Sequence, residues 1–205
     1  MSFRVEEKII LRKSDDFKVK KFIFKNNGKV LYPKRKISSV YFDNKYFQSF
    51  KDSEEGCVPR KKIRIRNYND LNEYLLETKI TSNEGKFKKS KMINESIFSE
   101  KVKKGIFDST YGFCRPIIEI SYIREYYKIG KFRLTLDNQI KYKAFKGNSF
   151  SYDNLSLILE IKTNSLNTID EQFKIIPMQR NRFSKYCQGI EAIFGKPHLQ
   201  RYLQR

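Results

Sequence analysis

Arg60-Lys61-Lys62-Ile63-Arg64-Ile65-Arg66-Asn67-Tyr68 is the stretch on which the fold class turns. Read with period two, one face carries Arg60, Lys62, Arg64, Arg66 and Tyr68, and the other carries Ile63 and Ile65. Alternation with β-branched residues is the pattern of a strand. Like charges on one strand face repel their neighbours. A face this dense in cations therefore predicts something anionic lying across it, and the same kind of face should recur on other strands.

It does recur. Towards the N-terminus, Phe3 to Leu11 alternates, with Arg4, Glu6, Lys8 and Ile10 on one side. Ser14-Asp15-Asp16 is a helix start, followed in helical spacing by Phe17, Lys21, Phe24 and Lys25 as far as Asn26-Asn27-Gly28. Lys36 to Asp43 reads as a strand containing Val40-Tyr41-Phe42, and Asn44 to Phe50 as a short helical turn before Pro59 leads into the basic strand. On its far side, Tyr74 to Ile80 sets Leu75, Glu77 and Lys79 on one face. Asn83-Glu84-Gly85 then turns the chain into a strand from Phe87 to Met92, with Lys89 and Lys91 on one side. Asn94 to Gly105 predicts a helix, and Ile117 to Tyr127 a long strand with Ile118, Ile120, Tyr122 and Arg124 in phase. Lys131 to Ile140 opposes Arg133, Thr135 and Asp137 to Phe132, Leu134 and Leu136. Leu155 to Thr163 opposes Glu160 and Lys162 to Leu157, Leu159 and Ile161. Helices are expected over Thr168 to Ile175 and Ser184 to Gly195. No repeat, low-complexity run or linker interrupts the sequence, so residues 1–205 predict one domain.

Lysine and arginine number 43 against 23 acids, a formal charge of +20, which implies an anionic partner: nucleic acid, a membrane surface or a phosphorylated ligand. No apolar run approaches the roughly 20 residues that span a bilayer, and the N-terminus has no signal-peptide core, which predicts a cytoplasmic protein. Cys57, Cys114 and Cys187 are widely spaced and read as free thiols. With His198 the only histidine, histidine-based catalysis and His-rich metal sites are nearly excluded. Chemistry here falls to carboxylates, lysines and arginines.

Eight strands with one apolar and one charged face could form an ordinary antiparallel sheet with a wet side. Two features weigh against that. The charged faces mix signs at matching positions, such as Glu77 with Lys79 and Glu160 with Lys162, and the apolar faces need covering by few helices. The expected class is therefore α+β: an eight-stranded antiparallel β-barrel with a charged interior, covered outside by a few helices. Inward cations in such an enclosure would bind polyphosphate strongly. Inward carboxylates would suit Mn²⁺ or Mg²⁺ bridging phosphate oxygens. That is the equipment of phosphoryl transfer.

Eight short motifs occur in the order seen in the polyphosphate polymerase (VTC) domain. They are Arg4-Val5-Glu6-Glu7-Lys8, Val40-Tyr41-Phe42-Asp43, Lys62-Ile63-Arg64-Ile65-Arg66, Leu76-Glu77-Thr78-Lys79, Tyr122-Ile123-Arg124, Arg133-Leu134-Thr135-Leu136-Asp137, Leu159-Glu160-Ile161-Lys162 and Ser184-Lys185-Tyr186. The chain thus resembles that family, one of the triphosphate tunnel metalloenzymes, from residue 4 to about residue 195. The resemblance implies that Lys8, Arg64, Arg66, Lys79, Lys89, Arg124, Arg133 and Lys185 line a tunnel and hold phosphates, with Ser184 donating beside Lys185; Lys88 and Lys91 are close rivals of Lys89, and Lys91 is a further phosphate-binding candidate. It implies Glu160 as a metal ligand; Glu6, Glu77 and Asp137 are further candidates placed inward by alternation, as are Lys62 and Lys162 for phosphate. Lys91 stands where an arginine is expected, and Arg4 where the adenylate cyclase and thiamine triphosphatase type carries a glutamate, which favours the polymerase branch.

The expected activity is a metal-dependent polyphosphate polymerase, moving the γ-phosphoryl group of a nucleoside triphosphate to a growing polyphosphate chain. Two alternatives stand beside it. One is a triphosphatase of the same fold, with water as acceptor. The other is a basic nucleic-acid-binding module, favoured by the charge and by 13 tyrosines and 17 phenylalanines. Glutamates interleaved with the cations would repel a nucleic-acid backbone, so no nucleic-acid partner is expected.

Overall fold

The structure, a computed structural model, describes residues 5–163 and 183–195. Arg4, His198 and the helix expected over Thr168 to Ile175 lie outside the described residues. The strands are β1 (Val5–Arg12), β2 (Lys29–Asp43), β3 (Arg60–Tyr68), β4 (Tyr74–Ser82), β5 (Gly85–Ile93), β6 (Ile106–Asp108), β7 (Gly112–Ile129), β8 (Phe132–Ala144), β9 (Phe150–Asp153) and β10 (Ser156–Thr163). The helices are α1 (Asp16–Lys25), α2 (Gln48–Glu55), α3 (Glu95–Lys104) and α4 (Lys185–Phe194). No helix among the described residues is long and apolar enough to cross a membrane.

The chain divides into two compact units. The first comprises Met1–Arg35, Tyr122–Ile140 and Asp153–Phe183. Here the alternation of β1, β8 and β10 sends Ile9, Leu134, Leu136, Leu157, Leu159 and Ile161 into one apolar core, against Val19 and Ile23 of α1. Helix α1 stops at Asn26-Asn27-Gly28, where the Gly28 amide donates to the Ile23 carbonyl at 2.9 Å. A Cβ at Gly28 would lie 2.4 Å from the Ile23 side chain, so only glycine closes this end.

The second unit comprises Lys36–Ser121, Lys141–Tyr152 and Ser184–Arg205. Ile63 and Ile65 of the basic strand join Val40, Phe42, Ile93, Tyr111 and Cys114 in its core, with Ile97, Phe98 and Val102 of α3 packed against them. Burying each isoleucine contributes about 1.5–3 kcal/mol. Asn94 caps α3, its side chain accepting from the Ile97 amide at 3.0 Å. Gly189 of α4 lies so close to Tyr142 and Ile118 that a Cβ there would meet them at 2.7 and 2.8 Å. The buried Asp43 accepts from the Ser49 and Phe50 amides of α2, at 3.0 Å each, and from the Tyr186 hydroxyl of α4 at 2.5 Å. The last residue of the Val40-Tyr41-Phe42-Asp43 motif is therefore an anchor for two helices.

The expected eight-stranded closed barrel is corrected on both counts. Ten strands are described, in the order β1-β10-β8-β7-β2-β3-β4-β5, with β6 on β7 and β9 on β8. No pairing joins β1 to β5 among the described residues, so the sheet is open. Strand β5 carries Lys86, Lys88, Lys89 and Lys91, all exposed, a run of charge that resists pairing with a further strand. Strand β2 begins at Lys29 instead of Lys36, and α2 starts at Gln48, after the turn at Asn44. Pro33 and the exposed Val30 and Tyr32 hide the first half of β2 from pattern reading.

Candidate functional site

Antiparallel register decides which side chains share a face. In the second unit Tyr41, Arg64, Glu77 and Ser90 stand in one row across β2 to β5, and Lys62, Lys79 and Lys88 in another across β3 to β5. On that face of β3 to β5, Arg60, Lys62, Arg64, Arg66, Lys79, Lys86 and Lys88 meet a single carboxylate, Glu77. Glu77 is 1% exposed and organises its surroundings. Arg64 Nε and Nη2 each lie 2.7 Å from Glu77 Oε2, Arg66 Nε lies 3.7 Å from the same oxygen, and Lys88 Nζ reaches Oε1 at 2.9 Å. Arg64 Nη1 also donates to the Tyr41 hydroxyl at 2.8 Å, and Arg66 Nη1 to the Tyr68 hydroxyl at 3.3 Å. The Tyr41 ring stacks on Tyr186, centroids 5.1 Å apart. Ser184, which caps α4, accepts from Lys62 Nζ at 2.9 Å, and Lys185 beside it is buried.

The acids on this face report its field. Burial alone would raise the Glu77 carboxyl, but Arg64, Arg66 and Lys88 hold it down at about 2. Burial would likewise raise the Tyr41 phenol, yet Arg64, Arg66 and Lys62 bring it to about 8. Tyr68 moves down as well, burial being outweighed by Arg66. Each group is pushed towards its anion, as a phosphate would be. A depressed carboxyl contributes stability that is fully present above its unfolded value of 4.5 and is lost as pH falls from there towards 2. Glu77→Gln is therefore expected to flatten the fall of the denaturation midpoint across that window. A midpoint-against-pH curve unchanged by the substitution would contradict the assignment.

In the first unit the shared face is balanced in sign. Register places Lys8 opposite Glu160 and Glu160 opposite Thr135; the next row is Glu6, Lys162 and Arg133. Glu160, 5% exposed, receives Lys162 Nζ at 2.7 Å and Arg124 Nη2 at 3.6 Å. Lys162 also reaches Glu6 Oε2 at 3.9 Å, and Lys8 Nζ lies 3.6 Å from Glu6 Oε1. Asp137, fully buried, grips Arg124 at both ends, at 2.5 and 2.7 Å. Burial alone would raise Glu160, but Arg124, then Lys162 and Lys8, hold it well below the usual carboxylate range. Arg133 is exposed, its guanidinium 5.7 Å from the ring centroids of both Tyr32 and Tyr126.

Most of the sequence-predicted residues fall on these two faces: Glu6, Lys8, Arg124, Arg133, Asp137, Glu160 and Lys162 in the first unit, and Lys62, Arg64, Arg66, Glu77 and Lys79 in the second, with Ser184 and Lys185 on α4. Lys89 and Lys91 do not. They pair with Thr78 and Leu76, whose face is that of the core, and both are exposed. The two-residue turn Asn83-Glu84, closed by the Ser82–Gly85 pair, sets this register and brings Lys88 into the charged row instead. The register thus decides between Lys89 and its rival Lys88 in favour of Lys88. Tyr41 and Thr135 also lie on these faces without having been expected there as site residues. The first is signalled only by its phase against Val40 and Phe42, the second only by its place between Arg133 and Asp137.

Compared with known proteins, the VTC domain model matches residues 3–194. No curated protein matches the chain. Among solved structures, a candidate adenylate cyclase from Bacillus halodurans is 14% identical, with TM-score 0.64, over 91% of this chain and 96% of that one. A second candidate adenylate cyclase, from Vibrio parahaemolyticus, is 14% identical, with TM-score 0.57, over 93% and 99%. A candidate adenylyl cyclase from Hippeastrum with a dominant triphosphatase activity is 16% identical, with TM-score 0.56, over 89% and 93%. At such identities these likenesses concern the fold.

Proposed function

Because the chain belongs to the VTC domain family, we propose that it is a metal-dependent phosphotransferase of the polyphosphate-polymerase kind. It takes the γ-phosphoryl group of a nucleoside triphosphate onto the end of a polyphosphate chain. The observation that carries this is the basic face of β3 to β5, where guanidiniums are fixed by the buried Glu77 before any substrate arrives. Phosphoryl transfer is chiefly positioning and charge neutralisation, and a face organised in advance supplies both.

Arg64 and Arg66 offer planar forks to non-bridging phosphate oxygens, and Lys62, Lys79 and Lys88 act as point charges. Ser184 and Lys185 add a hydroxyl and an ammonium at the start of α4. In the first unit Lys8, Lys162 and Arg133 present further cations, while Asp137 fixes Arg124. The terminal oxygen of the acceptor chain attacks the γ-phosphorus. The bond from that phosphorus to the β–γ bridging oxygen breaks, its electron pair leaving on the nucleoside diphosphate. The acceptor gains one phosphate.

The family implies a divalent cation, and the residues present fit one. Mg²⁺ and Mn²⁺ take oxygen donors and need only one or two carboxylates when substrate phosphates complete the shell. Glu6 and Glu160 already flank one cation, the Lys162 ammonium, and would hold such an ion. Asp137 and Glu77 are taken up by guanidiniums. No group of three or more His, Cys, Asp or Glu is drawn together among the described residues, so the assignment rests on this pair. When bound, the ion neutralises charge on the transferring phosphate.

Turnover with ATP and Mn²⁺ is expected to fall to background in excess EDTA and to return with added Mn²⁺. Full turnover in EDTA would exclude the metal. Separating the labelled products on a gel tests the acceptor. Chains longer than the starting triphosphate support polymerisation. Orthophosphate alone would move the assignment to a triphosphatase, the activity of the Hippeastrum relative, with water attacking in place of the chain end. Neither product would sink both.

A further inference from the structure

Thr135 is 2% exposed, and its hydroxyl oxygen has no hydrogen-bond partner among the described residues. Such a group is costly to bury unless something satisfies it. Its neighbours on β8, Leu134 and Leu136, point into the apolar core, so Thr135 lies on the opposite face with Arg133 and Asp137. Across the strand pair it stands directly opposite Glu160, whose carboxylate is engaged by Lys162 and Arg124. Directly opposed residues in an antiparallel pair place their Cβ atoms about 5 Å apart. The hydroxyl and the carboxylate thus belong to one row of the same face. Lys162 and Arg124 offset the charge of Glu160, and the hydroxyl adds a neutral oxygen of the kind a hard cation takes beside a carboxylate.

We infer that the Thr135 hydroxyl is a further ligand contact of the divalent cation assigned to Glu160 and Glu6, made directly or through a water of the ion. This rests on the metal assignment above and adds to it a residue whose burial would otherwise go uncompensated.

Mn²⁺ binding without nucleotide, measured by calorimetry and by the electron paramagnetic resonance signal of free Mn²⁺, tests it on wild type, Thr135→Val, Thr135→Ser and Glu160→Gln. Thr135→Val, close in shape to threonine, should weaken Mn²⁺ binding about tenfold, within the range for lost supporting contacts at metal sites. Thr135→Ser should retain it. Without metal, Thr135→Val should melt at or above wild type, because an unpartnered hydroxyl is gone, and its gain in melting temperature on adding Mn²⁺ should shrink. Thr135→Ala covers the case in which valine does not fold. Equal Mn²⁺ affinity in wild type and Thr135→Val would overturn the inference, as would a lower metal-free melting temperature restored by serine, the sign of a structural water. So would weaker tripolyphosphate binding in the absence of metal, which would place phosphate at the hydroxyl. If Glu160→Gln loses Mn²⁺ while Thr135→Val keeps it, only Thr135 is misassigned. Wild type that binds no Mn²⁺, either alone or with tripolyphosphate bound, would remove the metal assignment and this inference together.

Discussion

Glu160→Gln is expected to lower metal-dependent turnover by about 10²–10³-fold, the scale on which a single preorganised electrostatic partner acts. The substitution keeps the size of the side chain and removes its charge. It takes away an oxygen donor from the proposed cation site and the counter-charge of Lys162, Arg124 and Lys8. Because Glu160 is 5% exposed, the change also touches stability: three cations lose a buried acid, and the melting temperature should fall. Tripolyphosphate binding on the basic face of the second unit should be retained, which separates lost chemistry from lost folding. If turnover stays near wild type, the metal does not depend on Glu160, and Glu6→Gln becomes the deciding variant.

The second large effect belongs to the basic strand. Arg64→Ala and Arg66→Ala should each remove a charge-assisted phosphate contact worth about 2 kcal/mol. Tripolyphosphate affinity should therefore drop by about an order of magnitude or more in each. From the sequence alone, these changes would leave stability untouched or improved by relieving like-charge crowding. The structure alters that expectation for Arg64, whose guanidinium binds the buried Glu77 through two nitrogens. Its loss leaves Glu77 with Lys88 at 2.9 Å and Arg66 at 3.7 Å, so a moderate fall in stability follows. Arg66→Ala spares the closest Glu77 contacts and should melt near wild type. The double variant will not be additive, because both residues share Glu77. Ile63→Ala or Ile65→Ala should do the reverse, costing about 2–5 kcal/mol of stability through the core while phosphate binding persists. Calorimetry paired with thermal melts reads all of these. Unchanged phosphate affinity in both arginine variants would make this strand an ordinary polar face.

What was legible in the sequence was the phase of each long strand. A period of two with Ile63 and Ile65, or Leu159 and Ile161, on the inner side fixes the charged face without any knowledge of the neighbouring strand. Relations between strands were less accessible. Lys88 and Lys89 are separated by one position, and only the length of the turn at Asn83-Glu84 decides which joins Glu77. Closure was overestimated because mixed signs on the charged faces and apolar faces in need of cover suggested a barrel, whereas Glu77, Asp137, Glu160 and Arg66 are buried within an open strand order. Short β6 and β9 carry too few residues for periodicity to register. Tyr41 looks like one more core aromatic in Val40-Tyr41-Phe42. Its hydroxyl matters only because β2 pairs with β3 in the register that puts it against Arg64.

Condensed phosphates, not a nucleic-acid backbone, are the ligands proposed for these faces. Calorimetric titration of the wild-type chain with tripolyphosphate and with single-stranded RNA, at low and at moderate salt, tests this most directly. A chain of formal charge +20 will attract both at low salt. A long phosphate backbone releases counterions and weakens steeply as salt rises, whereas phosphates gripped by fixed, part-buried guanidiniums are screened less. The expected result is tripolyphosphate binding that persists at moderate salt while RNA binding fades. RNA binding that persists, with tripolyphosphate held no more tightly than sulfate, would contradict the account.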